Sequence, residues 1–196
     1  MLPLRIQQHL EAIYGIRCEL RVTDCLLDEQ QARALGGTMR AREELLVREE
    51  EGQLELGLFL APELLEQPAD LGAFCEAAEG VSHFLYLHRA ASLDRHVSLL
   101  ELEAQAEVDK FAICALGAWA AGTAKNLFSR LFDEISLRGS LTDQESWRYR
   151  EANRLARSYC RRLLPVIANR RLDKLLAELR YAYRLGAEAK LDYLAR

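Results

Sequence analysis

Two spacings of apolar residues divide the first part of the chain into helix and strand. Ile6, Leu10 and Ile13 recur three or four positions apart, which predicts a helix at the N-terminus. Over residues 16–22, apolar and polar side chains alternate one by one. Because alternate side chains of a strand point to opposite faces of a sheet, this segment is predicted to be a half-buried strand.

A second alternation follows a short helix. The helix is predicted over residues 29–35, because the glycines at 36–37 are typical of a helix end. Leucines at every second position of 54–60, with apolar residues at 45–47 before a polar turn at 49–52, predict a β-hairpin. The hairpin and the earlier strand would give a sheet of about three strands.

The rest of the chain carries the start signals of helices. Asp70 precedes an apolar segment at 71–90, and Ser98 and Thr142 are each followed three residues later by a glutamate that can complete a helix cap. Pro165 is predicted to end or bend the helix that begins after Thr142. The predicted fold class is α+β, with a small N-terminal antiparallel sheet of about three strands packed on a mostly α-helical body.

Charge divides the chain more sharply than hydrophobicity does. The 196 residues carry a net charge of −4, but residues 145–196 hold 13 basic and 6 acidic residues, against 13 and 24 in residues 1–144. With a linker candidate at 138–140, we predict an α+β domain at 1–138 and a basic helical portion at 139–196 packed on it. The opposite charges either hold these parts together or mark a nucleic-acid-binding surface. The arginines of that surface would be Arg148, Arg150, Arg154, Arg157, Arg161 and Arg162.

Composition excludes several classes of protein. Half of the residues are hydrophobic and 29% are charged, which is typical of a folded chain rather than a disordered one. The sequence shows no signal peptide and no membrane-spanning segment, and its five cysteines have no paired spacing. We therefore expect a cytoplasmic protein without membrane association, in which the cysteines are small buried hydrophobic residues.

A carboxylate and an imidazole stand one helical turn apart in the apolar helix predicted at 71–90. Glu79 and His83 lie four residues apart and therefore on one face, with Cβ atoms roughly 5–6 Å apart. The next predicted helix contains Glu103 and Glu107, which are also four residues apart. Such groups on two helices can enclose a divalent metal ion, or they can form a buried hydrogen-bonded cluster.

The segments EGVSHFLYL at 79–87 and EVDKFA at 107–112 carry a resemblance to a known family. With these segments following a strand and a hairpin, the chain resembles the zincin-type metallopeptidases of the ImmA/IrrE-like branch over about residues 44–116. In that branch the first helix carries HExxH and the second helix carries a glutamate that is the third zinc ligand. The resemblance implies zinc as the metal and three ligands, which are Glu79, His83 and Glu107.

The chain departs from this family at the general base. The first histidine of HExxH corresponds to Glu79, and the glutamate that activates the zinc-bound water corresponds to Gly80, which has no side chain. We therefore predict a pseudo-metallopeptidase, a non-catalytic regulatory or interaction protein with an unidentified protein partner. It would require no cofactor, although it could bind a divalent metal such as zinc.

Two alternatives remain open at the level of the sequence. The first is a metal-dependent hydrolase with the three zinc ligands above and Glu103 as its only candidate base. The second is a nucleic-acid-binding protein that uses the six arginines of the basic helices. The identity of the partner or substrate and the oligomeric state do not follow from the sequence.

Overall fold

The computed structural model describes residues 1–50, 53–66, 70–119, 123–134 and 141–196. The chain divides into two compact units, the first made of Met1–Ala12 and Ile16–His96 and the second of Ile13–Gly15 and Val97–Arg196. The predicted linker at 138–140 lies outside the described residues, so the domain division at residue 138 stays a prediction. All five cysteines lie in described segments and are free thiols.

The first unit contains a three-stranded sheet and a long helix. Its elements, in chain order, are α1 (Leu2–Tyr14, whose last two residues belong to the second unit), β1 (Leu26–Leu27), α2 (Glu29–Ala34), β2 (Glu43–Glu50), β3 (Gln53–Leu60) and α3 (Leu71–Ser92). The strand order is β1-β3-β2, with β1 parallel and β2 antiparallel to β3. The predicted α+β class is confirmed, but the sheet is mixed rather than antiparallel throughout.

The hairpin of β2 and β3 packs on α3 through its leucines. Leu58 and Leu60 of β3 are buried, and both lie against Gly80 of α3. Asp70 caps the start of α3 by accepting a hydrogen bond from the backbone N–H of Ala73 at 2.8 Å. The alternation of the hairpin leucines therefore builds the apolar face that this helix covers.

The strand predicted at 16–22 does not form, and that prediction was wrong. The side chain of Gln7 in α1 donates to the carbonyl of Leu20 at 2.9 Å and accepts from the N–H of Val22 at 2.8 Å. The Glu11 carboxylate accepts from the N–H of Cys18 at 3.0 Å. Because side chains of α1 satisfy these backbone groups, they are not offered to a neighbouring strand. The third strand is the two-residue β1 instead.

The second unit is helical in its described residues. Its elements are α4 (Leu99–Gly117), α5 (Thr123–Phe132), α6 (Asp143–Ala168), α7 (Leu172–Arg184) and α8 (Ala187–Ala195). The capping box of Thr142 and Glu145 at the start of α6 is present as predicted. Helix α6 continues through Pro165 to Ala168, so the proline does not end the helix where it stands.

Aromatic side chains form much of the core of the second unit. Phe111 of α4 lies 6.2 Å from Phe128 and 5.9 Å from Phe132, measured between ring centroids. Tyr14 stacks on Tyr183 of α7 at 3.9 Å. None of the helices in the described part of the chain is long and apolar enough to serve as a membrane span.

Candidate functional site

Two of the predicted metal ligands lie on α3 in the first unit. Glu79 and His83 are one helical turn apart, His83 is only 7% exposed, and Glu79 is half-buried. A carboxylate and an imidazole in this arrangement can bind one cation or can share a hydrogen bond. The third predicted ligand, Glu107, belongs to the second unit. The three-ligand zinc site therefore stays a prediction.

Gly80, which the sequence resemblance aligns with a general base, lies where α3 comes very close to the sheet. A Cβ atom added to Gly80 would lie 3.1 Å from side-chain carbons of both Leu58 and Leu60. A glutamate at this position would have to displace the hairpin leucines. The glycine is thus explained by packing, and α3 has no carboxylate at this place.

The acidic residues of α4 have basic partners inside the second unit. The carboxylate of Glu107 lies 2.7 Å from the Lys110 ammonium, and both side chains are largely buried. The carboxylate of Glu103 lies 3.6 Å from Nε of Arg148 on α6. These partners offset the cost of burying the carboxylates. They also engage the predicted ligand Glu107 and the candidate base Glu103 in ion pairs.

The six arginines predicted to bind nucleic acid all lie on α6. Four contact oxygen atoms of the second unit, in the pairs Arg148 with Glu103, Arg154 with Glu151, Arg157 with Asp133 and Arg162 with the carbonyl of Tyr193. Arg161 lies over the ring of Phe128 at 5.8 Å, and Arg150 is exposed. Much of this positive charge therefore meets local partners. Nucleic-acid binding stays a prediction.

A thiol and an imidazole meet in a cavity of the first unit. Sγ of Cys18 lies 3.3 Å from Nδ1 of His88, near the end of α3. The cavity has a volume of about 180 Å³, and its polar lining includes Arg17 and Arg89. No sequence signal points to this pair, because its members are 70 positions apart and Cys18 lies in the segment predicted to be a strand. This candidate site was missed by sequence reasoning.

The surroundings of Cys18 keep its thiol protonated. Burial raises the pKa of the Cys18 thiol, and the nearby carboxylates of Glu11 and Glu19 raise it further, against a lowering by a hydrogen bond from the Leu20 backbone. A thiol with a raised pKa becomes a nucleophile only when a base removes its proton. His88 is a base in direct contact with the sulfur.

An edge strand and a groove are two further features of the first unit. β2 is an edge strand of eight residues, and no strand in the described part of the chain pairs with its outer side. A groove of about 430 Å³ beside the hairpin is lined by Leu27, Leu35, Leu46 and Val47. Val47 of β2 is 51% exposed and adds to this apolar surface. The groove thus offers apolar surface next to the edge strand β2.

Comparison with known proteins assigns no family to the chain. No protein-family model, no curated protein and no solved structure matches it. The zincin-like resemblance therefore rests on the two sequence segments alone.

Proposed function

We propose that this is a non-catalytic interaction protein that binds an extended, basic segment of a protein partner along the outer edge of β2. The observation that carries the proposal is the eight-residue edge strand, on whose outer side no described strand lies. An extended segment added to such an edge forms a ladder of main-chain hydrogen bonds. Those hydrogen bonds would supply affinity for any extended segment, whatever its side chains.

The charge of the hairpin selects a basic partner. Residues 43–56 contain six glutamates and a single arginine, Arg48, and the side chains of Glu49 and Glu55 are exposed. A basic segment is attracted to this hairpin. Two copies of the chain, in contrast, would bring like charges together along their β2 edges, which disfavours edge-to-edge pairing of the protein with itself.

The groove beside the hairpin supplies the apolar part of recognition. Successive side chains of an added strand point to opposite faces of the sheet, so every second side chain would face the groove side. Leu35 and Leu46 present apolar surface there. The partner segment is therefore expected to alternate apolar and basic residues.

The glycine at position 80 supports binding without cleavage. Helix α3 lies behind the hairpin, and at the place of the family's general base it carries Gly80, packed on Leu58 and Leu60. A segment held on β2 would meet no carboxylate from this position. We place the action of the protein in the cytoplasm, as a regulatory protein related to the zincin-type peptidases but lacking their chemistry.

Backbone-methylated peptides test the proposed strand addition. The probes are three nine-residue peptides of alternating lysine and valine, one unmodified and two methylated on either the odd or the even backbone amides. Amides of an added strand point alternately toward β2 and toward solvent, so one methylation pattern should weaken binding at least about tenfold and the other should not. Fluorescence anisotropy measures the affinities. Equal binding by both methylated peptides would contradict strand addition.

A matched pair of charge variants tests the position of the site. Glu49→Lys on β2 should lower the affinity of the unmodified peptide several-fold, because it places a positive charge beside a basic segment. Glu188→Lys makes the same change of charge on exposed residue 188 of α8 and should leave the affinity unchanged. If both variants lose affinity equally, the binding is general attraction between charges and the β2 edge is not the site.

A further inference from the structure

The cavity at Cys18 combines a nucleophile, a base and positive charge in one place of the first unit. Cys18 and Arg17 come from the segment after α1, and His88 and Arg89 come from the last turns of α3. We propose that Cys18 and His88 form a nucleophilic thiol–imidazole pair that reacts with a small electrophile carrying an anionic group. This site is separate from the β2 edge, and it does not depend on the proposed function.

The geometry of the pair fits proton transfer from sulfur to nitrogen. Sγ of Cys18 and Nδ1 of His88 are 3.3 Å apart, which is a hydrogen-bond distance for sulfur. When Sγ attacks a carbon atom of the electrophile, a sulfur–carbon bond forms and the bond from that carbon to its leaving group breaks. The leaving group departs with the bonding electrons, and the thiol proton moves to Nδ1 of His88.

The base is required because the thiol does not ionise readily by itself. Burial and the carboxylates of Glu11 and Glu19 raise the pKa of Cys18, so a free thiolate is rare at neutral pH. The backbone N–H of Cys18 is held by the Glu11 carboxylate at 3.0 Å, which fixes the position of this residue. The sulfur is thus positioned beside its base rather than activated by a lowered pKa.

Arginines set the charge of the expected ligand. Arg17 and Arg89 line the cavity, and Glu19 is the acidic residue that lines it with them. Guanidinium groups bind carboxylates and phosphates through paired hydrogen bonds. The cavity volume of about 180 Å³ restricts the ligand to a small molecule or to the end of a larger one.

Cys25 is an internal control within the same unit. It is half-buried like Cys18, and its pKa is likewise raised by burial and by the neighbouring carboxylate of Asp24. Within the described residues its thiol makes no hydrogen bond, whereas Cys18 contacts His88. Any difference in reactivity between the two thiols therefore reports on the histidine and the cavity rather than on burial.

Alkylation with two small probes tests the proposal on the full chain. Iodoacetate carries a carboxylate and iodoacetamide is neutral, and each forms a sulfur–carbon bond with release of iodide. At pH 7, peptide mapping by mass spectrometry should show Cys18 reacting at least about tenfold faster than Cys25. The ratio of the iodoacetate rate to the iodoacetamide rate should also be higher at Cys18 than at Cys25.

Variants separate the base from the anion site. His88→Asn should lower the rate at Cys18 at least about tenfold with both probes, since asparagine cannot accept the thiol proton. Arg89→Gln should lower only the iodoacetate rate. An unchanged rate at Cys25 in each variant shows that the fold is intact. If Cys18 in the wild-type chain reacts no faster than Cys25, or shows no preference for iodoacetate, the proposal is overturned without recourse to a variant.

Discussion

Each unit contains a polar side-chain contact, but the two contacts differ in their access to solvent. The contact in the second unit is buried, and the contact in the first unit lines a cavity. In the second unit the hydroxyl of Tyr14 donates to the carboxylate of Asp109 and accepts from the amide of Gln105 at 3.1 Å, and all three residues are at most 2% exposed. In the first unit Cys18 and His88 touch at the wall of a cavity, and both are half-buried. A closed contact can only stabilise the fold, whereas an open one can meet a ligand.

The closed network should show the largest loss of stability when it is broken. Asp109→Ala leaves the buried Tyr14 hydroxyl and the Gln105 amide without their common acceptor, which should cost about 3–5 kcal/mol of the free energy of unfolding. Tyr14→Phe removes a single hydroxyl and keeps the ring stacked on Tyr183, so it should cost about 1–2 kcal/mol. Urea denaturation measures both variants. A smaller loss in Asp109→Ala than in Tyr14→Phe would show that Asp109 does not organise the network.

A charge placed on the side of α3 that faces the sheet should lower the free energy of unfolding nearly as much as Asp109→Ala does. Gly80→Glu forces a carboxylate against Leu58 and Leu60, which should lower the free energy of unfolding by about 2–4 kcal/mol. Gly117→Glu is the matched control, because nothing lies within 4 Å of a Cβ added at that position. Equal denaturation midpoints for the two variants would show that α3 can move away from the sheet at residue 80.

His83 and His88 lie on the same helix, but His83 is buried whereas His88 is half-buried and lines the cavity. His83→Ala should cost about 1–3 kcal/mol, because the imidazole of His83 is only 7% exposed and is predicted to satisfy a buried carboxylate. Chemical denaturation of the two proteins tests this loss. An unchanged midpoint would show that His83 satisfies no buried group.

Metal content and cleavage separate this structural role of His83 from the hydrolase alternative. If Glu79 and His83 hold zinc, protein purified without added metal carries zinc and His83→Ala does not. Even when loaded with zinc, the wild type is expected to cleave no peptide in a mixed library analysed by mass spectrometry, because residue 80 has no carboxylate. Metal-dependent cleavage that His83→Ala abolishes would show that the hydrolase alternative is right.

Alkaline pH should weaken the closed network without a mutation. Burial raises the pKa of Tyr14 well above its ordinary value of about 10, and the charge of Asp109 raises it further. Above pH 10 the unfolded chain loses this proton while the folded chain keeps it, so the stabilisation is complete below about pH 10 and declines as the pH rises. Tyr193, whose pKa is raised to about 12, acts in the same direction.

The contribution of Tyr14 to this decline can be isolated. Tyr14→Phe should make the loss of stability above pH 10 shallower by about 1.4 kcal/mol per pH unit, since each pKa unit corresponds to that free energy. Denaturation series at several alkaline pH values measure the two slopes. Identical slopes for the variant and the wild type would contradict a raised pKa of Tyr14.

Local signals made most of the fold predictable, and contacts distant in sequence account for what was missed. Asp70, Ser98 and Thr142 each accept a hydrogen bond from a backbone N–H three residues later, so a short window of sequence contains the whole cause of each helix start. The segment 16–22 alternates like a strand, but its backbone groups bind Gln7 and Glu11, which precede it by up to 15 residues. The pattern of apolar residues within the segment cannot indicate that side chains of α1 bind its backbone groups.

The candidate sites divide in the same way. Glu79 and His83 are four residues apart, so their position on one face of a helix could be predicted from a short window of sequence. Cys18 meets His88 across 70 residues only because the chain between them folds into a sheet and a long helix. The ion pairs of Arg148 and Arg157 likewise depend on partners at residues 103 and 133. The charge asymmetry of the chain could therefore be counted from the sequence, but the ion pairs that neutralise these arginines could not be predicted from it.

The open pair should show the smallest effect on stability. His88→Asn and Cys18→Ser should each change the free energy of unfolding by no more than about 0.5 kcal/mol, because half-buried groups beside a cavity can exchange a lost contact for water. The comparison is His83→Asn, the same substitution at a buried position of the same helix, which should cost more. Urea denaturation measures the free energy of unfolding of the three variants.

A decrease in the free energy of unfolding above about 2 kcal/mol in His88→Asn would show that the Cys18–His88 contact is structural, like the network of Tyr14. A small loss of stability together with a large loss of alkylation rate is the result that separates a reactive pair from a structural one.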